Sequence, residues 1–292
     1  MLKRQRETRH AAIVFLAPIL MLLTVFIAYP IIDTIRTSLY QWNGISAEKI
    51  FVGINNWKAL ILDESFWIAF INNIRIMVFS IGVQLPIGLA LATFLDFGGK
   101  RLNIYKVMWF IPLLMSSVAI GFLFNYALAT NGGLISWVSK LFGGGNIDLL
   151  GNPKLALNAV IGVICWQFIP FYMVYFMAAY TNVTVEIFEA ARIDGATKGQ
   201  YFWRIAFPLL MPSIRSAAIL SMVGSLKYFD LIYVMTGGGP GTSTELMATY
   251  MYKQSFKTFN MGYGSAVAGG MFILITFMAL FTMKVLNGKK EV

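Results

Sequence analysis

Residues able to do chemistry are sparse in this chain and gather in two places. One is a polar run, Glu189-Ala190-Ala191-Arg192-Ile193-Asp194-Gly195-Ala196, continuing to Ile205-Ala206-Phe207-Pro208, set between two long apolar segments. The other is a thin scatter of hydroxyls, amides and rings inside apolar segments. Ser221, Gly224, Ser225 and Tyr228 fall at i, i+3, i+4 and i+7, one face of a helix. Gln167 and Phe171 stand one turn apart and can face Tyr228. Small polar groups with a ring suit a sugar, because hydroxyls hydrogen-bond its edge and a ring stacks on its apolar face. Ser and Gly also serve close packing between membrane helices, so this face carries both readings.

Other chemistries lack their residues. Gly98-Gly99-Lys100-Arg101 misses the first glycine and the final hydroxyl of a phosphate-binding loop, and the triple-glycine runs read as turns outside the membrane. Neither His10 nor Cys165 has the neighbours of a metal site, and a lone cysteine builds no disulfide framework. No paired carboxylates stand at helical spacing inside an apolar segment. The chain is therefore not expected to be an enzyme or to hold a cofactor, and an energy source must come from a partner. Lys227 and Asp230, three residues apart in an apolar segment, are expected to form a salt bridge or to meet a partner chain.

The elements that must position these residues are membrane spans. Of 292 residues 58% are hydrophobic and only 12% charged, roughly half the charged share of a soluble domain. Runs of about 18 or more apolar residues recur. Spans are expected at about 11–32, 76–95, 107–130, 155–181, 216–236 and 263–283, giving an all-α polytopic membrane protein with a tail at 1–10 and one transmembrane domain over 11–292. Basic residues divide fourteen (Lys3, Arg4, Arg6, Arg9, Lys100, Arg101, Lys106, Arg192, Lys198, Arg204, Arg215, Lys284, Lys289, Lys290) against seven (Arg36, Lys49, Lys58, Lys140, Lys154, Lys253, Lys257) between the two sides. The richer side, holding both termini and the 189–208 run, is expected to be cytoplasmic. The net charge of +10 is then a topology signal, and no basic stripe or module points to nucleic acid.

Local signals shape the polar run. Thr184 can cap a short helix, Gly195 supplies the left-handed residue that ends it, and Thr197 with Gln200 has capping-box spacing for a second helix. Glu189 and Arg192 can pair at i, i+3 or reach a partner's charges. On the opposite side, Asp63-Glu64-Ser65-Phe66 leads into an interfacial helix, and 134–142 reads as a short amphipathic helix.

Glu189-Ala190-Ala191, Asp194-Gly195-Ala196, Ile205 and Pro208 resemble the EAA motif of ABC importer permeases, with Phe207 in place of the usual leucine. Phe51-Val52-Gly53-Ile54-Asn55-Asn56-Trp57 and the run Tyr228-Phe229-Asp230 through Thr236-Gly237-Gly238-Gly239-Pro240 resemble the carbohydrate branch, in its maltose-transporter-like first-permease form. The resemblance covers essentially the whole chain. It implies the six-helix type I importer permease fold, with a cytoplasmic coupling helix between helices 4 and 5. It implies a translocation path shared with a second permease, two cytoplasmic ATPase subunits on which ATP and Mg act, an extracytoplasmic solute-binding protein, and a sugar as solute, in a bacterial or archaeal cell membrane; the alternatives are a non-sugar solute such as a glycerol phosphoester and a stand-alone secondary transporter. Glu189, Ala190, Ala191, Arg192, Asp194, Gly195, Ile205 and Pro208 would then couple to the ATPase. Gln167, Phe171, Ser221, Gly224, Ser225 and Tyr228 would line the path.

Overall fold

The structure, a computed structural model, describes residues 13, 15–98, 103–183 and 185–287. His10, Thr184 and the basic residues at 3–9, 100–101 and 289–290 lie outside them. Twelve helices follow in order: α1 (Phe15–Thr37), α2 (Asn55–Leu62), α3 (Glu64–Gly98), α4 (Asn103–Leu114), α5 (Ser117–Ala127), α6 (Leu134–Leu141), α7 (Ala156–Tyr180), α8 (Val185–Ile193), α9 (198–226), α10 (Asp230–Met235), α11 (247–257) and α12 (Met261–Asn287). A two-stranded antiparallel ladder, β1 (Tyr40–Gln41) with β2 (Ile50–Phe51), pairs Tyr40 with Phe51 between α1 and α2.

Among the described residues five stretches are long and apolar enough to cross a membrane: Phe15–Thr37, Glu64–Gly98, Ala156–Tyr180, Lys198–Met235 and Met261–Val285. A sixth exists only if α4 and α5 count together, and they are bent by 93° at Met115–Ser116. The straight span expected over 107–130 is therefore broken. Pro112 removes a backbone donor near the end of α4, and Ser116 is extended at ψ 136°, its Oγ accepting from Val118 N at 3.3 Å to start a new helix. The interfacial helix expected after Asp63 is instead the first part of α3, continuous to Gly98. The 216–236 span also differs, since its helix stops at Leu226 and restarts at Asp230.

The described residues fall into two compact units, one within 1–63 and 251–272 and the other within 64–250 and 273–287. In the first, the Asn-Trp pair anchors the hairpin. Asn56 Nδ2 donates to Ser38 O at 2.8 Å and Tyr40 O at 3.0 Å, and Trp57 Nε1 donates to Ser38 Oγ at 2.9 Å. Gly262 passes so close to the Tyr40 carbonyl that no side chain would fit there, and its N–H binds Trp42 O at 3.0 Å.

The second unit is built around α7, apolar on every side and packed against α3, α4, α9 and α10. Gly88 of α3 lies directly on Tyr172 of α7, where a Cβ would come 2.7 Å from the Tyr172 Cβ. One apolar cluster joins Ile76, Ile120, Ile164, Leu231 and Leu246. A second joins Leu89, Phe176, Ala191, Tyr201 and Leu210, so that α8 is packed into the bundle.

Three helices widen to a π turn at the same place relative to a proline: Thr24–Ala28 before Pro30, Ser80–Gln84 before Pro86, and Phe202–Ala206 before Pro208. Proline offers no N–H and its ring crowds the carbonyl four residues back, so the ladder shifts to the next donor. The middle instance matters most, because it turns Ser80 and Gln84 toward α7 and α9.

Candidate functional site

A cavity of about 270 Å³ opens where α3, α7 and α9 meet. Its polar lining is Ser80 and Gln84 from the π turn, Tyr172 from α7, and Ser221, Ser225 and Tyr228 along the end of α9. Ile164, Phe168, Phe171, Leu220 and Gly224 supply the remaining wall. Five of the six residues expected on a solute path, Phe171, Ser221, Gly224, Ser225 and Tyr228, are thus brought together. Gln167 stands behind the wall and is buried. Its Nε2 donates to Ser117 Oγ at 3.1 Å, while its Oε1 accepts from Tyr228 Oη at 3.4 Å.

Two hydroxyls face each other in the cavity wall. Ser221 is 3% exposed, and the group within reach of its Oγ is the Tyr172 hydroxyl, at a geometry short of a full hydrogen bond. A buried hydroxyl left in that state costs on the order of 1–3 kcal/mol, which a polar ligand would recover. Ser225 is otherwise occupied, its Oγ donating to Ser221 O at 2.8 Å. At Gly224 the space a Cβ would enter is open. None of the lining side chains is charged.

Ser80 was not expected on the path, and Gln84, with Pro86, reads from the sequence as better suited to packing between helices than to lining the path. Gln84 Nε2 donates to Ser80 Oγ at 3.1 Å and reaches Cys165 Sγ at 3.8 Å. Pro86 was the available signal, since a proline inside an apolar helix marks a local shift of the ladder.

Behind the end of α9, two consecutive asparagines of α3 hold the segment after α10. Asn73 Nδ2 donates to Ser225 O at 2.9 Å, and its Oδ1 accepts from Met247 N at 3.0 Å. Asn72 Nδ2 donates to Ser243 O at 3.1 Å and Glu245 O at 3.0 Å. The glycine-rich run is more than a loose turn: Thr236 and Thr244 hydroxyls meet at 2.7 Å, Thr244 Oγ1 donates to Gly239 O at 2.7 Å, and Thr249 Oγ1 donates to the buried Glu245 carboxylate at 2.6 Å.

The polar run forms the short α8 and, after the bend at Gly195, the first turns of α9, which run on into the span to Leu226 where a second short helix was expected. Ala196 N donates to Ala191 O at 2.9 Å and Gly195 N to Arg192 O at 3.1 Å, with Gly195 at φ +76°, which is a Schellman ending of α8. Thr197 and Gln200 close a capping box on α9. Ala191 points inward, with Phe188, Tyr201 and Phe97 forming an aromatic seat beneath α8. Glu189, Ala190, Arg192, Asp194 and Gly195 are exposed, as is Pro208, while Ile205 is half-buried. Glu189 and Arg192 do not pair with each other. Ile193, which sequence reasoning passed over, is 86% exposed beside them.

Lys227 and Asp230, exposed on either side of the break between α9 and α10, likewise form no ion pair with each other. The helix stops between them, so their side chains no longer share the face that i, i+3 spacing would give them.

Residues 84–291 match the family described as binding-protein-dependent transport system inner membrane component. A putative ABC transporter permease of Caldicellulosiruptor sp. (strain Rt8B.4) is 61% identical over 140 residues, 48% of this chain and 100% of that one. The multiple sugar-binding transport system permease MsmF of Streptococcus mutans is 31% identical over 282 residues, 95% of each chain. A solved bacterial ABC transporter involved in importing the acidic polysaccharide alginate shares the fold, at TM-score 0.85 and 19% identity over 99% of both chains. The same figures hold for an alginate transporter in complex with its alginate pentasaccharide-bound periplasmic protein. With its membrane-length helices and a family match over most of its length, the chain belongs to the binding-protein-dependent transport system inner membrane components, the permease subunits of ABC transporters.

Proposed function

We propose that this permease carries a neutral saccharide through the cavity between α3, α7 and α9, in a path it completes with a second permease. The observation that carries the reading is the buried Ser221 and Tyr172 hydroxyl pair, set among rings in a cavity with no charged lining residue. A sugar supplies hydroxyls for Ser221 and Gln84 and an apolar ring face for Phe171 or Tyr228. A phosphoester or uronate would leave its anion without a cation in this lining.

Transport is driven from outside the chain. The exposed face of α8, with Glu189, Ala190, Arg192 and Ile193, is the coupling surface for a cytoplasmic ATPase subunit, on which ATP and Mg act. Small Ala190 lets that subunit approach closely, and the Gly195 bend holds α8 at a set angle to α9. Both termini and α8 lie on the cytoplasmic side, and an extracytoplasmic binding protein delivers the sugar.

The test is reconstitution of this chain with its second permease, ATPases and binding protein in proteoliposomes. ATP-dependent uptake is read for a panel of neutral mono- to pentasaccharides and their uronate-containing counterparts. Uptake of a neutral saccharide, lowered by Ser221→Ala, is the expected result. Uptake confined to acidic or non-sugar solutes overturns the reading.

A further inference from the structure

Asn73 is fully buried and is not itself on the cavity wall. Its amide has one donor and one acceptor committed in opposite directions, to the Ser225 carbonyl of α9 and to the Met247 N–H of α11. Ser225 lies on the cavity wall, one residue before α9 ends at Leu226, where carbonyls no longer find helical partners. Leu226 and the Tyr228 ring pack that end, and Asn73 is the side chain that takes its Ser225 carbonyl just before the chain breaks at 227–229.

We propose that Asn73 is a positioning residue for solute selection, setting the cavity-facing end of α9 against the 236–247 turn. The inference rests on the cavity being the solute site. Asn72 supplies an internal comparison. It is equally buried and makes two hydrogen bonds to the same turn, at Ser243 O and Glu245 O, but none to the cavity wall. A purely structural role would make the two asparagines alike. A positioning role separates them.

The experiment places a thiol on the wall, as Gly224→Cys with the native thiol removed by Cys165→Ala, in the fully assembled importer. The rate of modification by a charged methanethiosulfonate is compared with Asn73 or Asn72 altered. Asn73→Ala is expected to change that rate severalfold and Asn72→Ala to leave it within about twofold. If Asn73→Ala does not assemble, Asn73→Leu serves, because it keeps the branched shape and volume and loses the hydrogen bonds to Ser225 O and from Met247 N–H. An unchanged rate in an assembled Asn73 variant, or an equal change in Asn72→Ala, overturns the proposal. As a second readout, Asn73 variants should alter the ratio of uptake rates for the two saccharides carried fastest in the panel above, whereas Asn72→Ala lowers both in proportion. Should the panel show no saccharide uptake, the sugar reading fails while the labelling comparison still decides whether Asn73 positions the wall.

Discussion

Gln167 and Tyr228 meet across the gap between α7 and α9, the Tyr228 hydroxyl donating to the Gln167 carbonyl oxygen at 3.4 Å. That contact is long, and the Gln167 amide is held from its other end by Ser117. Tyr228→Phe should therefore cost under about 1 kcal/mol of stability. It should nevertheless lower ATP-driven uptake roughly tenfold, because the hydroxyl is free to turn to the solute. Thermal unfolding in detergent and proteoliposome uptake measure the two effects separately.

Gly224 faces open space, so added bulk there enters the cavity without displacing protein atoms. Gly224→Ala should raise stability by up to about 1 kcal/mol by removing a glycine from the last turn of α9. Gly224→Trp should insert and assemble normally but abolish uptake. A Gly224→Trp importer that transports at the normal rate would show that the path lies elsewhere.

Pro86 creates the π turn that carries Ser80 and Gln84. Pro86→Ala returns a donor to the ladder, and closing the turn to α geometry removes one residue's worth of rotation, about 100°, between the two halves of α3. Uptake should fall about tenfold or more while membrane insertion is retained. Uptake kinetics beside quantitative immunoblotting of membranes test this.

Gly195 sits at φ +76°, a conformation that proline cannot adopt. Gly195→Pro should leave the chain inserted while abolishing the dependence of uptake on ATP hydrolysis. Gly195→Ala, with open space for its Cβ and only the cost of about 1 kcal/mol for left-handed backbone, should keep partial coupling. ATPase turnover per solute transported is the measurement, and normal stoichiometry in the proline variant would refute a coupling role for α8.

Two glycines of α3 should behave oppositely. Gly88→Ala drives a methyl to within 2.7 Å of Tyr172 Cβ and 3.0 Å of the Met173 nitrogen, and should cost about 1–3 kcal/mol through overpacking. Gly82→Ala meets nothing within 4 Å and should be neutral or slightly stabilising. Apparent melting temperatures of the purified importer distinguish them.

Local rules made part of this protein legible from residues alone. The α8 ending at Gly195 and the Thr197–Gln200 box depend on contacts within a few positions of one another, so residue type and spacing determine them. The apolar runs likewise marked α1, α7 and α12, since burial in lipid acts on each helix separately. Where the spans differ, a single local feature decided the outcome: Pro112 and Ser116 bent the 107–130 span, and the stop at Leu226 divided the one expected over 216–236.

What the chain order alone determined is therefore a set of membrane helices, a capped polar elbow and one helical face bearing Ser221, Gly224 and Ser225, with Tyr228 just past the end of that helix. Tertiary packing decided which residues meet that face. Ser80 and Gln84 reach it from α3 across more than a hundred positions, and Asn73 holds Ser225 and Met247 from as far away. The physical reason is that helical periodicity orients a side chain about its own axis, whereas a cavity wall or a bridging amide depends on how several axes lie against one another. That arrangement comes from close approaches such as Gly88 on Tyr172 and from the π turn before Pro86, whose effects are felt on neighbouring helices rather than along the strand of sequence that contains them.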